Sequence, residues 1–220
     1  MVNGIVKPMT GVVLAGGQNR RMGGRMKALL PMDGRLFIER QLEELAKVCG
    51  DIWIAVSEHA PFERWLTQEQ PGLPSGVPVR AVRDMHPGSG PLAGLQAAMA
   101  AAQAETLWVV ACDMPFVSAD AARAMAQLLH ARESADAVVP VIGGKVHPLH
   151  AVYRRRCGKV VDELLEQGQY RVMELLRRLN YTAAEEEFFS SQGISPRFAV
   201  NVNGPDDYEK LQRQTDESGV

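Results

Sequence analysis

The sequence lacks the patterns that identify several common classes of protein. Its 220 residues contain no GxxxxGK[ST] phosphate loop, and the glycines at positions 16 to 23 do not follow the GxGxxG spacing of dinucleotide-binding domains. The first absence excludes a P-loop NTPase, and the second argues against an NAD- or FAD-dependent enzyme. The three cysteines, Cys49, Cys112 and Cys157, form no CxxC pair. Because their number is odd, neither a disulfide framework nor a structural zinc site is expected.

Long apolar runs and a strong charge of one sign are also absent. No stretch approaches the roughly 18 to 20 apolar residues that span a bilayer, and residues 1–10 lack the apolar segment of a secretory signal. The formal net charge is −2, so the chain as a whole has no general attraction to nucleic acid or to anionic membranes. We expect a cytoplasmic protein that binds neither.

A loop that combines glycines with cations follows the first apolar strand, at about residues 10–15. Glycines allow backbone N–H groups to approach an anion closely, and cationic side chains offset the charge of a nucleoside triphosphate. The cations of this loop are Arg20, Arg21, Arg25 and Lys27. The loop favours nucleotide chemistry, although the same composition also fits a solvated basic turn after a core strand.

Apolar runs alternate with helical patterns along the chain, which predicts a mostly parallel sheet covered by helices on both faces. The predicted strands are 10–15, 51–56, 79–82, 107–112, 137–142, 145–153 and 198–200. Predicted helices are a segment from Ile38 that ends near 49–50, then 60–69, 92–103, 118–131, 155–166, 171–179 and a last one after Pro205. Gly143-Gly144 predicts a hairpin turn, a departure from the simple alternation.

The length fits one α/β domain, and the chain shows no internal repeat or linker. We therefore predict a single domain over residues 1–220, with a core at about 10–211. The polar segment 212–220 is predicted to be a disordered tail.

Polar residues follow several of the predicted strands. In open parallel sheets, ligands bind beyond the carboxyl ends of the strands, and the loop at 16–27, Asp84, Asp113 and the pair Asn201/Asn203 all fall there. Asp113 directly follows a buried strand, and we expect it to hold magnesium, since a hard cation prefers carboxylate oxygen. The alternative is that Asp113 caps the next turn. Asp84 fits a nucleotide contact and a local Asx-turn equally well.

Three further features have both a functional and a structural interpretation. The turn before Pro91 feeds a helix whose N-terminus could bind an anion. His147 could contact substrate or act as a general base, although a histidine in a strand is more often simply packed. The run Arg154-Arg155-Arg156 is typical of a solvated face, and contact with an anionic second substrate is the other interpretation.

Several motifs, in this order and spacing, resemble the molybdenum cofactor guanylyltransferases over about residues 10–211. They are Leu14-Ala15-Gly16-Gly17 with Arg21-Met22-Gly23 and Lys27, Gly90-Pro91-Leu92-Ala93-Gly94, Cys112-Asp113-Met114-Pro115, His147-Pro148-Leu149 and Asn201-Val202-Asn203-Gly204-Pro205. The opening motif alone is shared with sugar-phosphate and other nucleotidyltransferases. The resemblance implies a three-layer α/β/α, Rossmann-like fold of the GT-A type with a mostly parallel mixed sheet.

The resemblance also implies an activity. It is the transfer of GMP from GTP to the terminal phosphate of molybdopterin, with Mg²⁺ as cofactor, molybdopterin guanine dinucleotide as product and release of pyrophosphate. The implied partners are GTP and molybdopterin or molybdenum cofactor, with transient contacts to proteins that deliver the cofactor. We expect a monomer.

The family's nucleotide-binding residues match positions in this chain: Leu14, Ala15, Gly16, Gly17, Lys27, Asp84 and Asp113. By the resemblance, Asp113 holds magnesium, and Arg21, Lys27 and Asp113 carry catalysis. The chain differs from the family at two places. Met26 stands where an aspartate commonly precedes the lysine, and Ala55-Val56-Ser57 replaces a strand end that contains asparagine.

Other functions remain alternatives at the level of sequence. A cytidylyltransferase of the same fold that acts on molybdopterin would prefer CTP to GTP. A sugar-phosphate nucleotidyltransferase would use a different acceptor. A nucleotide-binding sensor would bind nucleotide without releasing pyrophosphate when the acceptor is present.

Overall fold

The computed structural model describes residues 8–16, 26–57, 65, 76–84, 86 and 88–218, with side chains through 213. The described strands are β1 (Met9–Leu14), β2 (Pro31–Met32), β3 (Arg35–Leu36), β4 (Cys49–Val56), β5 (Val79–Arg83), β6 (Thr106–Ala111), β7 (Ala137–Ile142), β8 (Lys145–Val146), β9 (His150–Arg154) and β10 (Tyr181–Glu185). The first five predicted strands are confirmed to within two residues at each end.

The described helices are α1 (Phe37–Ala46), α2 (Pro91–Ala101), α3 (Ala119–Ala131), α4 (Gly158–Glu166), α5 (Val172–Arg178), α6 (Glu186–Ser190) and α7 (Pro205–Ser218). Helix α1 ends earlier than predicted, because β4 already begins at Cys49. The helix predicted over 60–69 lies outside the described residues except for Trp65, which is helical and buried. Within the described part of the chain, no helix is long and apolar enough to cross a bilayer.

One large mixed sheet forms the centre of the fold. Its strand order is β10-β7-β9-β6-β1-β4-β5, with β8 paired to β7. Strands β6, β1, β4 and β5 are mutually parallel, as are β7 and β10, whereas β9 is antiparallel to both β6 and β7. The predicted mostly parallel mixed sheet is confirmed, and the antiparallel strand follows from the hairpin that Gly143-Gly144 predicted. Both glycines have positive φ, 56° and 71°.

Two apolar layers enclose this sheet. Every residue of the central strands β1 and β6 is buried, as expected for parallel strands covered on both faces. Side chains of α1, α3 and α6 pack with one face of the sheet, and those of α2, α4 and α5 pack with the other. The predicted three-layer α/β/α architecture is therefore confirmed. All three cysteines are buried and free, consistent with small apolar core residues.

The chain between Lys145 and Tyr153 is not one strand, as predicted, but two. After β8 the segment His147–Leu149 leaves the hairpin, and its carbonyl at Leu149 accepts the N–H of Ala111 at 2.8 Å. The chain can then enter the sheet as β9 between β7 and β6. Residues 147–149 thus lie beside the carboxyl end of β6.

The strand predicted at 198–200 is wrong. A 3₁₀ helix, Pro196–Ala199, occupies this region, and Ser195 caps it by accepting the N–H of Arg197. Phe198 is buried against the rings of His150 and Phe189, at centroid distances of 4.7 and 4.8 Å. The last strand is instead β10, which the sequence did not reveal because only Ala184 among its five residues is buried.

A small hairpin and the C-terminal helix form a third packing unit. Strands β2 and β3 pair around Asp33-Gly34, both with positive φ. An apolar cluster joins this hairpin to the segment after Ala199, and its buried members are Leu30, Met32, Phe37, Val202 and Leu211. Helix α7 extends through Ser218, beyond the predicted limit of the core. The single-domain assignment stays a prediction.

Candidate active site

Asp113 lies in a tight turn at the carboxyl end of β6. The N–H of Met114 donates to the carbonyl oxygen of Ala111 at 3.2 Å, which closes the turn over residues 111–114. The N–H of Cys112 donates to Leu14 at the end of β1 (3.1 Å), and the carbonyl of Asp113 accepts the N–H of Val202 (2.8 Å). Backbone hydrogen bonds on two sides therefore fix the turn.

The side chains of Lys27 and Asp113 form an ion pair across this edge of the sheet. The Nζ of Lys27 lies 3.0 Å from Oδ2 of Asp113, and the two side chains are only 16% and 18% exposed. The other oxygen of Asp113, Oδ1, is buried and has no hydrogen-bond partner among the described residues. One carboxylate oxygen is thus paired with a cation, while the second is left for another ligand.

Asp84 follows β5 at the same edge of the sheet. Its N–H donates to the carbonyl of Val56 (3.0 Å), and the residue is only 4% exposed. Burial raises the pKa of its carboxyl group, and a hydrogen bond from the backbone N–H of His86 acts in the opposite direction. A contact from the Asp84 carboxylate to the N–H two residues further on is the one that an Asx-turn would make, and the Asx-turn stays a prediction. Since Oδ1 of Asp84 has no partner in the described part of the chain, the nucleotide contact also stays a prediction.

The ends of β1, β4 and β5 meet at Gly16. Leu14 and Ala15 are buried, and the N–H of Ala15 donates to the carbonyl of Ala55 at 2.8 Å. A Cβ atom on Gly16 would lie 3.3 Å from both Oδ2 of Asp84 and the backbone N of Ser57. Glycine is therefore the residue that fits here without a shift of its neighbours. Gly17 and the loop cations Arg20, Arg21 and Arg25 lie outside the described residues.

Gly16→Ala is expected to weaken the binding of a nucleoside triphosphate roughly tenfold, since an added methyl in a tight site typically costs about 1 to 3 kcal/mol. The methyl group would push Asp84 or Ser57 away from the strand end. Isothermal titration with Mg²⁺ and nucleotide measures the effect. Gly158→Ala is the matched control, because a Cβ there meets its nearest neighbour at 3.6 Å. Equal affinities in the two variants would contradict the close approach of nucleotide at Gly16.

Helix α2 packs closely on the same strand ends. A Cβ on Gly94 would lie 3.1 Å from Cβ of Ala55 and 3.2 Å from Cδ2 of Leu14. The methyl of Ala55, at one of the positions where the chain departs from the family, thus fills the space under this helix. Gly90 precedes the helix with φ 66° and, as a glycine, has no side chain that could cap the N-terminus. Anion binding there stays a prediction.

The other predicted features separate into two groups. The bond from Val202 to Asp113 places Asn201 and Asn203 next to the turn in the chain, although the strand predicted before them does not form; a role for them in the site stays a prediction. The three arginines lie elsewhere, because Arg154 pairs with Thr106 at the opposite end of β6. Arg154 donates to the carbonyl of Ala135 and Arg156 to the carboxylate of Asp136, both at 2.8 Å. Their place is therefore structural, far along the strand from Asp113.

His147 is half-buried between β8 and β9. Its backbone N–H donates to the carbonyl of Pro140 at 2.9 Å. Burial lowers the pKa of its imidazole, which is therefore mostly neutral at pH 7. Contact with substrate or general-base action by His147 stays the second interpretation, beside that of a packed histidine.

Gln41 on α1 is a residue of this region that was not predicted from the sequence. This side chain is fully buried and donates to two carbonyl groups of the turn that carries Asp113. A signal was present, because Gln41 lies three residues after Ile38 and four before Leu45, on the apolar face of the helix.

The described residues contain no group of three or more His, Cys, Asp or Glu side chains that could enclose a metal ion. Asp113 offers instead one buried oxygen that has no partner among them. Magnesium is commonly held by one or two carboxylates together with substrate phosphates. The residues present therefore fit a divalent cation that binds along with a nucleotide.

Known proteins of one family match this chain over most of its length. The MobA-like NTP transferase domain matches residues 11–183. A protein of Pelotomaculum thermopropionicum, named "Probable molybdenum cofactor guanylyltransferase", is 36% identical over 211 residues, which cover 95% of this chain and 94% of the relative. A protein of Geobacillus sp. with the same name is 34% identical over 205 residues, which cover 92% of this chain and 97% of the relative.

A solved structure from Archaeoglobus fulgidus, titled "Molybdopterin-guanine dinucleotide biosynthesis protein A", has the same fold. It matches with a TM-score of 0.75 at 24% sequence identity, and the match covers 95% of this chain and 100% of that one. The predicted Rossmann-like nucleotidyltransferase fold is thereby confirmed. With a domain match over most of its length and relatives above 30% identity, the chain belongs to the MobA-like NTP transferase family.

Proposed function

We propose that the protein is a molybdenum cofactor guanylyltransferase, which transfers GMP from GTP to the terminal phosphate of molybdopterin and releases pyrophosphate. Relatives with that name match almost the whole chain. The observation that carries the proposal is the pair Lys27–Asp113 at the carboxyl ends of the central strands, with Oδ1 of Asp113 unpartnered among the described residues.

The proposed reaction is an in-line displacement at the α-phosphorus of GTP. A phosphate oxygen of molybdopterin forms the new P–O bond, while the bond to the bridging oxygen of pyrophosphate breaks and its electron pair leaves with pyrophosphate. The nucleophile is already an anion, so the protein has no proton to remove from it. The barrier comes from repulsion between the two phosphate groups and from charge that develops on the leaving group.

The residues of the site would offset these negative charges. Lys27 contributes a cation to the triphosphate, and Asp113 would hold Mg²⁺. When bound, Mg²⁺ supplies electrostatic stabilisation to the phosphate oxygens. Asp84 and the backbone of residues 14–17 bind the nucleotide. By the resemblance, Arg21 adds a second cation to the triphosphate.

Titration of GTP, CTP and UTP in the presence of Mg²⁺, followed by assay of pyrophosphate release with molybdopterin, tests the proposal. We expect GTP to bind at least about tenfold more tightly than CTP, a difference of about 1.4 kcal/mol. Pyrophosphate release should require molybdopterin. A preference for CTP would indicate the cytidylyltransferase, and binding of GTP without pyrophosphate release would indicate a sensor.

The proposal also covers the setting of the reaction. The protein acts as a cytoplasmic monomer with one domain, and it receives the cofactor through transient contacts with delivery proteins.

A further inference from the structure

Gln41 makes an unusual set of contacts for a residue in the core. It is 0% exposed, on the face of α1 that also carries Leu42 and Leu45. Its Nε2 donates to the carbonyl oxygen of Ala111 at 2.8 Å and to that of Met114 at 2.9 Å. These two carbonyls belong to the first and last residues of the turn that carries Asp113. A single side chain therefore clamps both ends of this turn.

The oxygen of the same amide group has no partner in the part of the chain that the structure describes. Oε1 of Gln41 is buried without a hydrogen bond to any described residue. An unsatisfied buried oxygen destabilises the folded state, and an apolar side chain of the same size would avoid that cost. Glutamine at this position is therefore best explained by its two N–H donors.

We infer that Gln41 is a positioning residue for Asp113. By fixing both ends of the turn, it sets the direction of a carboxylate whose Oδ2 pairs with Lys27 and whose Oδ1 is available to a divalent cation. Gln41 is fully buried, so it acts through Asp113 and not by contact with substrate. The inference rests on the proposed function, in which Asp113 holds the cation at the triphosphate.

A neighbouring contact on α1 provides a matched control. Oε2 of Glu44 accepts the N–H of Ala119, the first residue of α3, at 3.0 Å. Glu44 thus ties α1 to the same chain segment, but at the start of the next helix and not at the turn of Asp113. A variant without this bond shows how much the general anchoring of α1 to this segment contributes to activity.

The first experiment compares Gln41→Met with Glu44→Met. Methionine keeps the length of glutamine but donates no hydrogen bond. Because a misplacement of about 1 Å can cost roughly a hundredfold in rate, we expect Gln41→Met to lower kcat about tenfold or more. The KM for GTP should change less than about threefold, since the lost effect lies mainly in the transition state. Glu44→Met should leave kcat within about twofold of the wild type.

A second readout does not depend on turnover. Mn²⁺ binding in the presence of GTP, followed by electron paramagnetic resonance, should weaken severalfold in Gln41→Met and stay unchanged in Glu44→Met. Unchanged Mn²⁺ affinity together with wild-type kcat in Gln41→Met would overturn the inference. If the wild type releases no pyrophosphate from GTP and molybdopterin, the proposed function fails, and Mn²⁺–nucleotide binding still tests the role of Gln41.

A double-mutant cycle separates positioning from a general loss of stability. In an Asp113→Asn background, Gln41→Met should lower kcat no further, because the carboxylate through which it acts is gone. If Gln41→Met lowers kcat by the same factor in the wild-type and Asp113→Asn backgrounds, Gln41 is merely structural. If Gln41→Met does not fold, Gln41→Glu replaces it. Its carboxyl group can donate to one carbonyl only when protonated, so its kcat relative to wild type should rise as the pH falls, and a flat ratio would contradict the inference.

Discussion

Asp113→Asn is expected to lower turnover about 10²- to 10³-fold, the loss typical when one preorganised charge or donor is removed from a reacting phosphate or acyl group. Asparagine keeps the size of the side chain but loses its negative charge, and a neutral amide is a weaker ligand for a hard divalent cation. The fold should survive, because backbone bonds from Cys112 to Leu14 and from Val202 to Asp113 hold the turn independently of the carboxylate.

Pyrophosphate release at saturating GTP, Mg²⁺ and molybdopterin measures this loss, and thermal unfolding checks the fold. Asp120→Asn is the control, since this carboxylate is 73% exposed in the first turn of α3. It should keep nearly all activity. Full turnover of Asp113→Asn with Mg²⁺ would show that the cation is held by other residues.

The position of the candidate site could be predicted from the sequence because two physical rules agree. The continuous apolar runs that became β1 and β6 indicated central parallel strands, and residues that follow such strands lie at one edge of the sheet. Asp84 and Asp113 therefore fell beside the loop after β1, and the structure confirms that the strand ends meet. The pairing of Lys27 with Asp113 also joins two residues named from the sequence.

The errors arose where burial is partial or where a local signal competes with tertiary contacts. Strand β10 lies at the edge of the sheet and buries only Ala184, so its sequence carries little apolar pattern. The apolar stretch at 198–200 was mistaken for a strand, although its largest side chain, Phe198, is buried by packing on the rings of His150 and Phe189 and not within the sheet. The Asp33-Gly34 hairpin had a recognisable turn signal, but its strands are only two residues long.

Gln41 shows a different limit of sequence reasoning. Its helix, with apolar residues at regular spacing, was predicted, and a polar residue on the apolar face was visible in that pattern. The pattern does not reveal the hydrogen-bond partner of Gln41, which is the carbonyl of Ala111, 70 residues further along the chain. Such long-range side-chain contacts depend on how α1 and β6 pack together, which a local period does not specify.

Lys27→Met is expected to reduce kcat/KM for GTP about 10²- to 10³-fold, because this side chain is proposed to contact the triphosphate in both the ground state and the transition state. The change should raise KM as well as lower kcat, whereas Asp113→Asn should act mainly on kcat. Methionine also removes the ion pair with Asp113, whose partners are only 16% and 18% exposed. Lys27→Arg should rescue the rate only in part, since the guanidinium group is planar and larger than an ammonium group.

Steady-state kinetics with varied GTP at saturating Mg²⁺ measure both parameters. Lys47→Met is the matched control, because Lys47 is a half-exposed cation at the end of α1 that pairs with Glu44 and not with a residue of the site. Its kcat/KM should stay within about twofold of the wild type. If kcat/KM falls by the same small factor in Lys27→Met and Lys47→Met, Lys27 does not contact the triphosphate and its charge only offsets that of Asp113. Binding of the triphosphate would then depend on the cations of the loop that precedes Lys27.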